Sequence, residues 1–135
     1  IIGDELMVLY GVHIESENDP QKAVNTAKEM FIRLKEFNRD NYSKGYPEIK
    51  VGIGINYGEV ISGNIGSDRQ MNYTVIGDNV NLAARLCSHA KPGQIVISKS
   101  VFENLDDKSG FKSMNPIELK GKSKKVENWI FDAKN

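Results

Sequence analysis

The sequence predicts an α+β fold built on a largely antiparallel sheet. Three observations lead there. Short strand patterns follow one another through turn residues in "IKVGIGINYGEVISGNIG". Only two stretches, residues 19–38 and 78–89, carry extended helical patterning. Strand and helix patterns do not alternate along the whole length, as a doubly wound parallel sheet requires. The Gly-x-Gly of "VGIGIN" lies inside a strand pattern with no helix behind it, so it is a poor dinucleotide signal.

The elements follow in order. "IIGDELMVLYG" reads as a hairpin turn at Gly-Asp-Glu leading into a strand over Leu6 to Tyr10. Asp19 then Pro20 is a helix start, a capping carboxylate followed by a residue suited to the first turn. Ala23, Val24, Ala27, Met30, Phe31, Leu34 and Phe37 recur at helical spacing, which predicts a helix to about Asn38 with one buried face. "NRDNYSKGYPE" reads as a loop. Val51, Ile53 and Ile55 then alternate with Gly52 and Gly54, and two glycines on one strand face predict a close neighbour there. Tyr57-Gly58 is a turn into a second strand. Tyr73 to Ile76 is a strand, and Asp78 caps a helix to about His89. "IVIS" is a short buried strand, "KSVFENL" a short helix capped by Ser98, and "LKGKSKKVENWIFD" a basic turn with a final strand.

The totals narrow the functional classes. The chain has 135 residues, enough for one domain with its own core. Lys plus Arg and Asp plus Glu are 18 each, so no global field attracts nucleic acid or an anionic membrane. Tyr and Phe are too scattered for an RNA stacking platform. No apolar run is long enough to cross a bilayer, and no signal-peptide pattern is present. One cysteine, Cys87, excludes an internal disulfide and fits a reducing compartment. These points predict a cytoplasmic location and no direct membrane contact from this segment, with a parent protein free to be membrane-tethered. The chain begins at Ile1 and reads as cut from something longer.

The helix over residues 78–89 holds the most informative pair. On a wheel of about 100° per residue, Asn81 and Arg85 fall about 40° apart with Ser88 beside them. Leu82, Leu86, the alanines, Val80 and Cys87 fill the rest. A guanidinium on so apolar a helix needs a partner or water, because stripping it of both costs about 3–5 kcal/mol. An internal carboxylate, a solvated strip and an anionic ligand all satisfy that demand. For the last, Arg offers a planar fork of donors suited to phosphate.

The run "GINYGEVISGNIGSDRQMNYTVIGDNVNLAARLCSHAKPGQIVIS" strongly resembles the catalytic domain of class III adenylyl/guanylyl cyclases of bacterial type. "IIGDELM" and "LKGKSKKV" resemble the same family, in the right order. The resemblance implies a ferredoxin-like nucleotidyl cyclase fold, with helices on one face and the first strand and helices missing. It implies a reaction in which the ribose 3′-hydroxyl of a nucleoside triphosphate attacks its own α-phosphorus and pyrophosphate leaves. That chemistry calls for two divalent cations, Mg²⁺ or Mn²⁺, and fixed donors at the α-phosphoryl oxygens.

Residue by residue, Asp4 matches a metal-binding aspartate, though Asp also forms turns. Asn81 matches the asparagine that orients the ribose, and Arg85 the arginine that stabilises the transition-state phosphate. Lys120 matches a phosphate-contacting lysine, with Lys122 its nearest rival. Thr74 matches the second base-selecting position and is the adenine variant there, although Thr is also a good strand residue. Val75 lines the base pocket in this reading. The family's other metal aspartate belongs to an earlier strand, and the first base-selecting residue would fall just before Ile1. One carboxylate cannot build a two-cation site, so the 135 residues alone are expected to be inactive. The missing strand would leave unpaired sheet edges, which predicts a homodimer, with strand exchange as one route.

The implied activity is adenylyl cyclase, ATP to 3′,5′-cyclic AMP. Guanylyl cyclase and a non-catalytic nucleotide-binding or dimerisation module are the alternatives. In the family the site forms between two head-to-tail subunits. His13 and His89 lack metal-ligand spacing and read as surface. Cys87 reads as packing rather than nucleophile, and Trp129 as core.

Overall fold

The computed structural model describes residues 18–58, 61–64, 73–76, 78–118 and 125–134. Asp4, His13, Lys120, Lys122 and the strand expected over Leu6 to Tyr10 lie outside these. The described elements are α1 (Asp19–Tyr42), β1 (Ile53–Ile55), β2 (Ile61–Asn64), β3 (Tyr73–Ile76), α2 (Asp78–His89), β4 (Gln94–Ser98), α3 (Lys99–Glu103), β5 (Lys112–Glu118) and β6 (Lys125–Asp132).

The start of α1 departs by one residue from its expected form. Asn18, not Asp19, takes the N-cap position, with left-handed backbone at φ 67° and no side-chain capping bond. Asn tolerates that conformation better than most residues. Asp19 falls in the first turn, where its charge suits the helix dipole. The helix also runs past Asn38 to Tyr42, through residues expected to be loop. Arg39, Asp40 and Asn41 do not break a helix, and the chain turns only at Gly45, where φ is +80°.

The side chain of Asn38 brackets the backbone of Ile49. Its Nδ2 donates to the Ile49 carbonyl at 2.9 Å, and its Oδ1 accepts from the Ile49 N–H at 3.0 Å. This fixes the approach to β1. Asn38→Ala is expected to cost about 1–2 kcal/mol in denaturant unfolding.

Four strands form one sheet in the order β1-β4-β6-β5, and β2 pairs with β3 in a separate ribbon. Every described pairing is antiparallel except β1 with β4, which is parallel with Ile53 opposite Ile95 and Ile55 opposite Ile97. The turn expected to join β1 and β2 into a hairpin does not pair them. β1 takes β4 as its neighbour instead, while β2 sets Ile61 opposite Ile76 and Asn64 opposite Tyr73 of β3.

The helices were expected on one face and occupy both. Side chains alternate across a strand, and β4 divides accordingly. Ile95 and Ile97 pack with Val24 and Ala27 of α1, Val101 of α3 and Leu105. Val96 points the other way, to Leu86 of α2 and Ile117 of β5. On the first face Trp129 stacks on Phe102 with ring centroids 4.4 Å apart and planes 3° from parallel. Trp129 therefore packs against the core, as its strand position suggested.

The buried stripe of α1 fades along its length. Val24 and Ala27 are buried, but Met30 is 43% and Phe37 51% exposed. With Phe31, Leu34, Val51 and Ile53 they line an open apolar groove of about 660 Å³. The groove lies beside β1, which among the described residues has a strand on one side only.

Candidate active site

The site is built on α2, and α2 is seated by β1. Ile53 and Ile55 face α1, so Gly52, Gly54 and Asn56 face the other way, toward α2. The missing side chains are what let the two backbones meet. A Cβ on Gly52 would stand 2.9 Å from the Ala90 Cβ. One on Gly54 would collide with the backbone N of Cys87 and stand 2.8 Å from the Ala83 carbonyl oxygen. The close neighbour predicted from the two glycines is therefore the helix that carries Asn81 and Arg85. Cys87 belongs to this seam, its Sγ 3.6 Å from the Gly52 carbonyl.

A polar network closes the seam at its far end. Asn56 Nδ2 donates to the Asn79 carbonyl at 2.9 Å and to Asn79 Oδ1 at 3.1 Å. Asn56 Oδ1 accepts from Ser98 Oγ at 2.8 Å and Ser100 Oγ at 3.3 Å. Ser100 Oγ also donates to the Tyr57 carbonyl at 2.6 Å. Ser98 sits at the N-cap of α3 as expected, but its hydroxyl makes no capping bond because Asn56 and Ser100 engage it. A Cβ on Gly58 would stand 2.6 Å from Asn79 Oδ1, so that glycine makes room for the Asn79 side chain.

The opposite side of α2 is open. Although its sequence is apolar nearly all round, Leu86 is its one fully buried residue. Asn81, Ser88 and His89 are exposed and Arg85 is half-buried. Among the described residues no carboxylate pairs with Arg85, and the Asn81 side chain makes no hydrogen bond. Of the three ways to satisfy the guanidinium, the internal carboxylate is thus not found among the described residues. A planar fork of five donors and an amide remain on adjacent turns, with no carboxylate partner among the described residues.

Thr74 and Val75 lie on β3, opposite Gly63 and Ser62 of β2. That strand ends at Ile76, immediately before the residue that precedes α2, so the strip and the expected base-selecting strand adjoin. Asp4 and Lys120, expected to serve metal and phosphate, lie outside the described residues. Among the described residues no group of three or more His, Cys, Asp or Glu could hold a metal ion.

The Asn56, Asn79, Ser98 and Ser100 network escaped the sequence reading. Its signal was present. Asn56, just after β1, continues the glycine face of that strand as one polar group where it meets the helix.

The catalytic-domain profile described as "Adenylate and Guanylate cyclase catalytic domain" matches residues 1–133. The chain belongs to that family. The cyclase domain is 35% identical over 136 residues to the rat protein "Guanylate cyclase soluble subunit beta-2", covering 99% of this chain and 19% of that one. It spans about a fifth of the length of such curated relatives. Among solved structures, it is similar to the guanylyl cyclase Cya2 at 36% identity and a TM-score of 0.79, covering 94% of this chain and 67% of that one. It is also similar to the adenylyl cyclase CyaB from P. aeruginosa, at 30% identity and a TM-score of 0.77, covering 87% and 61% respectively. The fold is thus the ferredoxin-like nucleotidyl cyclase fold of class III catalytic domains. Relatives of both base specificities stand at comparable distance. None of the described helices is long and apolar enough to cross a membrane.

Proposed function

We propose that this cyclase domain is an adenylyl cyclase, converting ATP to 3′,5′-cyclic AMP and pyrophosphate at a site shared between two subunits. The observation that carries the reading is the Asn81–Arg85 strip, which no described carboxylate engages, on a helix seated tightly against the sheet. A donor group that no described carboxylate engages would suit a nucleotide. Arg85 would hold charge growing on the α-phosphoryl oxygens, and Asn81 would fix the ribose so that its 3′-hydroxyl stays in line. Lys120 would contact the outer phosphates.

Thr74 supports adenine over guanine, since it is the residue type of the adenine-selecting pairs in the family. In the intact protein, ATP is expected to give cyclic AMP with a higher kcat/KM than GTP gives cyclic GMP. The reverse order would make the domain a guanylyl cyclase. Asp4 ties the reading to Mg²⁺ or Mn²⁺, whose role is to activate the hydroxyl and grip the phosphates. Chelation by EDTA is expected to abolish turnover, and added Mn²⁺ to restore it.

Among the described residues β1 has a strand on one side only, which supports self-association. An unpaired strand edge beside an apolar groove is a template for another chain. Residues 1–135 are expected to run as a dimer or larger species by light scattering, whereas a clean monomer would contradict this part of the proposal.

A further inference from the structure

We propose that Asn56 is a positioning residue for the cyclase reaction, setting the register of α2 on the sheet and hence the location of Asn81 and Arg85. The inference rests on the cyclase reading of that strip. The glycine seam brings α2 close to β1, but smooth contacts resist sliding weakly. Directional bonds resist it strongly, and Asn56 supplies two to a single residue of the first turn of α2, at 2.9 and 3.1 Å. That residue, Asn79, lies two positions before Asn81.

The network also fixes which way Asn56 points. Its oxygen faces two hydroxyls, Ser98 and Ser100, and its nitrogen faces the Asn79 carbonyl. A reversed amide would set its donors against Asn79's carbonyl oxygen no longer, and oxygen would face oxygen. Ser98 ends β4 and Ser100 lies in α3, so the amide joins β1, the β4–α3 corner and α2 through one side chain. Ser100 further binds the Tyr57 carbonyl, which holds the chain just after Asn56 in place. Misplacing a catalytic group by about 1 Å costs on the order of 10²-fold in rate, less than the 1.5 Å rise of one helical residue.

The test is steady-state kinetics on the intact protein, with turnover expressed per folded molecule well below the unfolding transition. Asn56→Ala removes the whole link. Asn56→Asp keeps the size and the acceptor for the two serines but loses the donor to Asn79, and it serves if the alanine variant fails to fold. Both are expected to lower kcat at least tenfold with KM changed less than threefold, the pattern of a lost transition-state interaction. Asn38→Ala provides the comparison, an asparagine with a similar two-bond clamp elsewhere. It is expected to lose stability and keep its turnover per folded molecule.

If Asn56→Asp loses stability alone and keeps kcat, as Asn38→Ala does, the positioning role is overturned. Arg85→Ala, run alongside, separates the levels. Loss of turnover in Arg85→Ala with retention in Asn56→Asp defeats only the positioning role. Retention in Arg85→Ala defeats the cyclase reading of the strip and the inference with it.

Discussion

Arg85→Ala is expected to lower kcat of the intact protein by about 10²–10³-fold, the usual cost of removing one preorganised donor from a developing oxyanion. KM should change far less, because the charge that Arg85 meets grows only as the bond forms. Stability should stay within about 0.5 kcal/mol of the parent. That last expectation follows from the structure: among the described residues the guanidinium has no carboxylate to lose. A side chain that contributes nothing to folding and much to turnover is one held for a ligand. Arg85→Lys should recover little, since a single ammonium cannot reproduce the planar fork. Unchanged turnover in Arg85→Ala would leave the strip as an ordinary solvated helix face.

Gly54→Val is expected to give the largest loss of stability. The added carbon would meet the backbone of Cys87 and the carbonyl of Ala83, not the movable end of a side chain. Helix and strand would have to separate along the whole seam. Overpacking of this kind costs about 1–3 kcal/mol and occasionally more, and backbone-on-backbone contact places this site at the upper end. The unfolding midpoint should fall by roughly 10 °C. Turnover per remaining folded molecule should fall as well, because α2 carries Asn81 and Arg85 out of place. Gly45, where a Cβ would meet nothing within 4 Å, offers a contrast. Gly45→Asn should be mild, since only its φ of +80° resists and Asn accepts that region.

Much of this was legible in the sequence because local signals and global packing agreed. Alternation through Val51 to Ile55 gave β1, and the two glycines on its second face announced a close neighbour, which proved to be α2. The wheel placed Asn81 and Arg85 together on the side that the structure leaves open. The failures share one physical cause, partnership with residues remote in sequence. Tyr57-Gly58 resembles a hairpin turn, but β1 finds its partner in β4, some forty residues on. Arg39 to Asn41 are polar enough for a loop, yet nothing in them stops a helix before Gly45. A wheel shows which face of a helix is apolar but not how far along that face cover extends, so Met30 and Phe37 lie on the apolar face yet are exposed. Nor does any local pattern say on which side of a sheet a helix lands. The opposite placement of α1 and α2 depends on whether odd or even positions of β4 receive them.

Shared sites are the centre of the proposal: Arg85 of one subunit would act on a nucleotide held with Asp4 of the other. The most direct measurement mixes two inactive variants of the intact protein, Arg85→Ala and Asp4→Ala, and assays cyclic nucleotide. Each alone should be nearly dead. Mixed, they should regain a substantial fraction of parent activity, because one of the two sites in each mixed dimer combines an intact Asp4 with an intact Arg85. A mixture no more active than the sum of its parts, under conditions where the two variants demonstrably associate, would contradict the account.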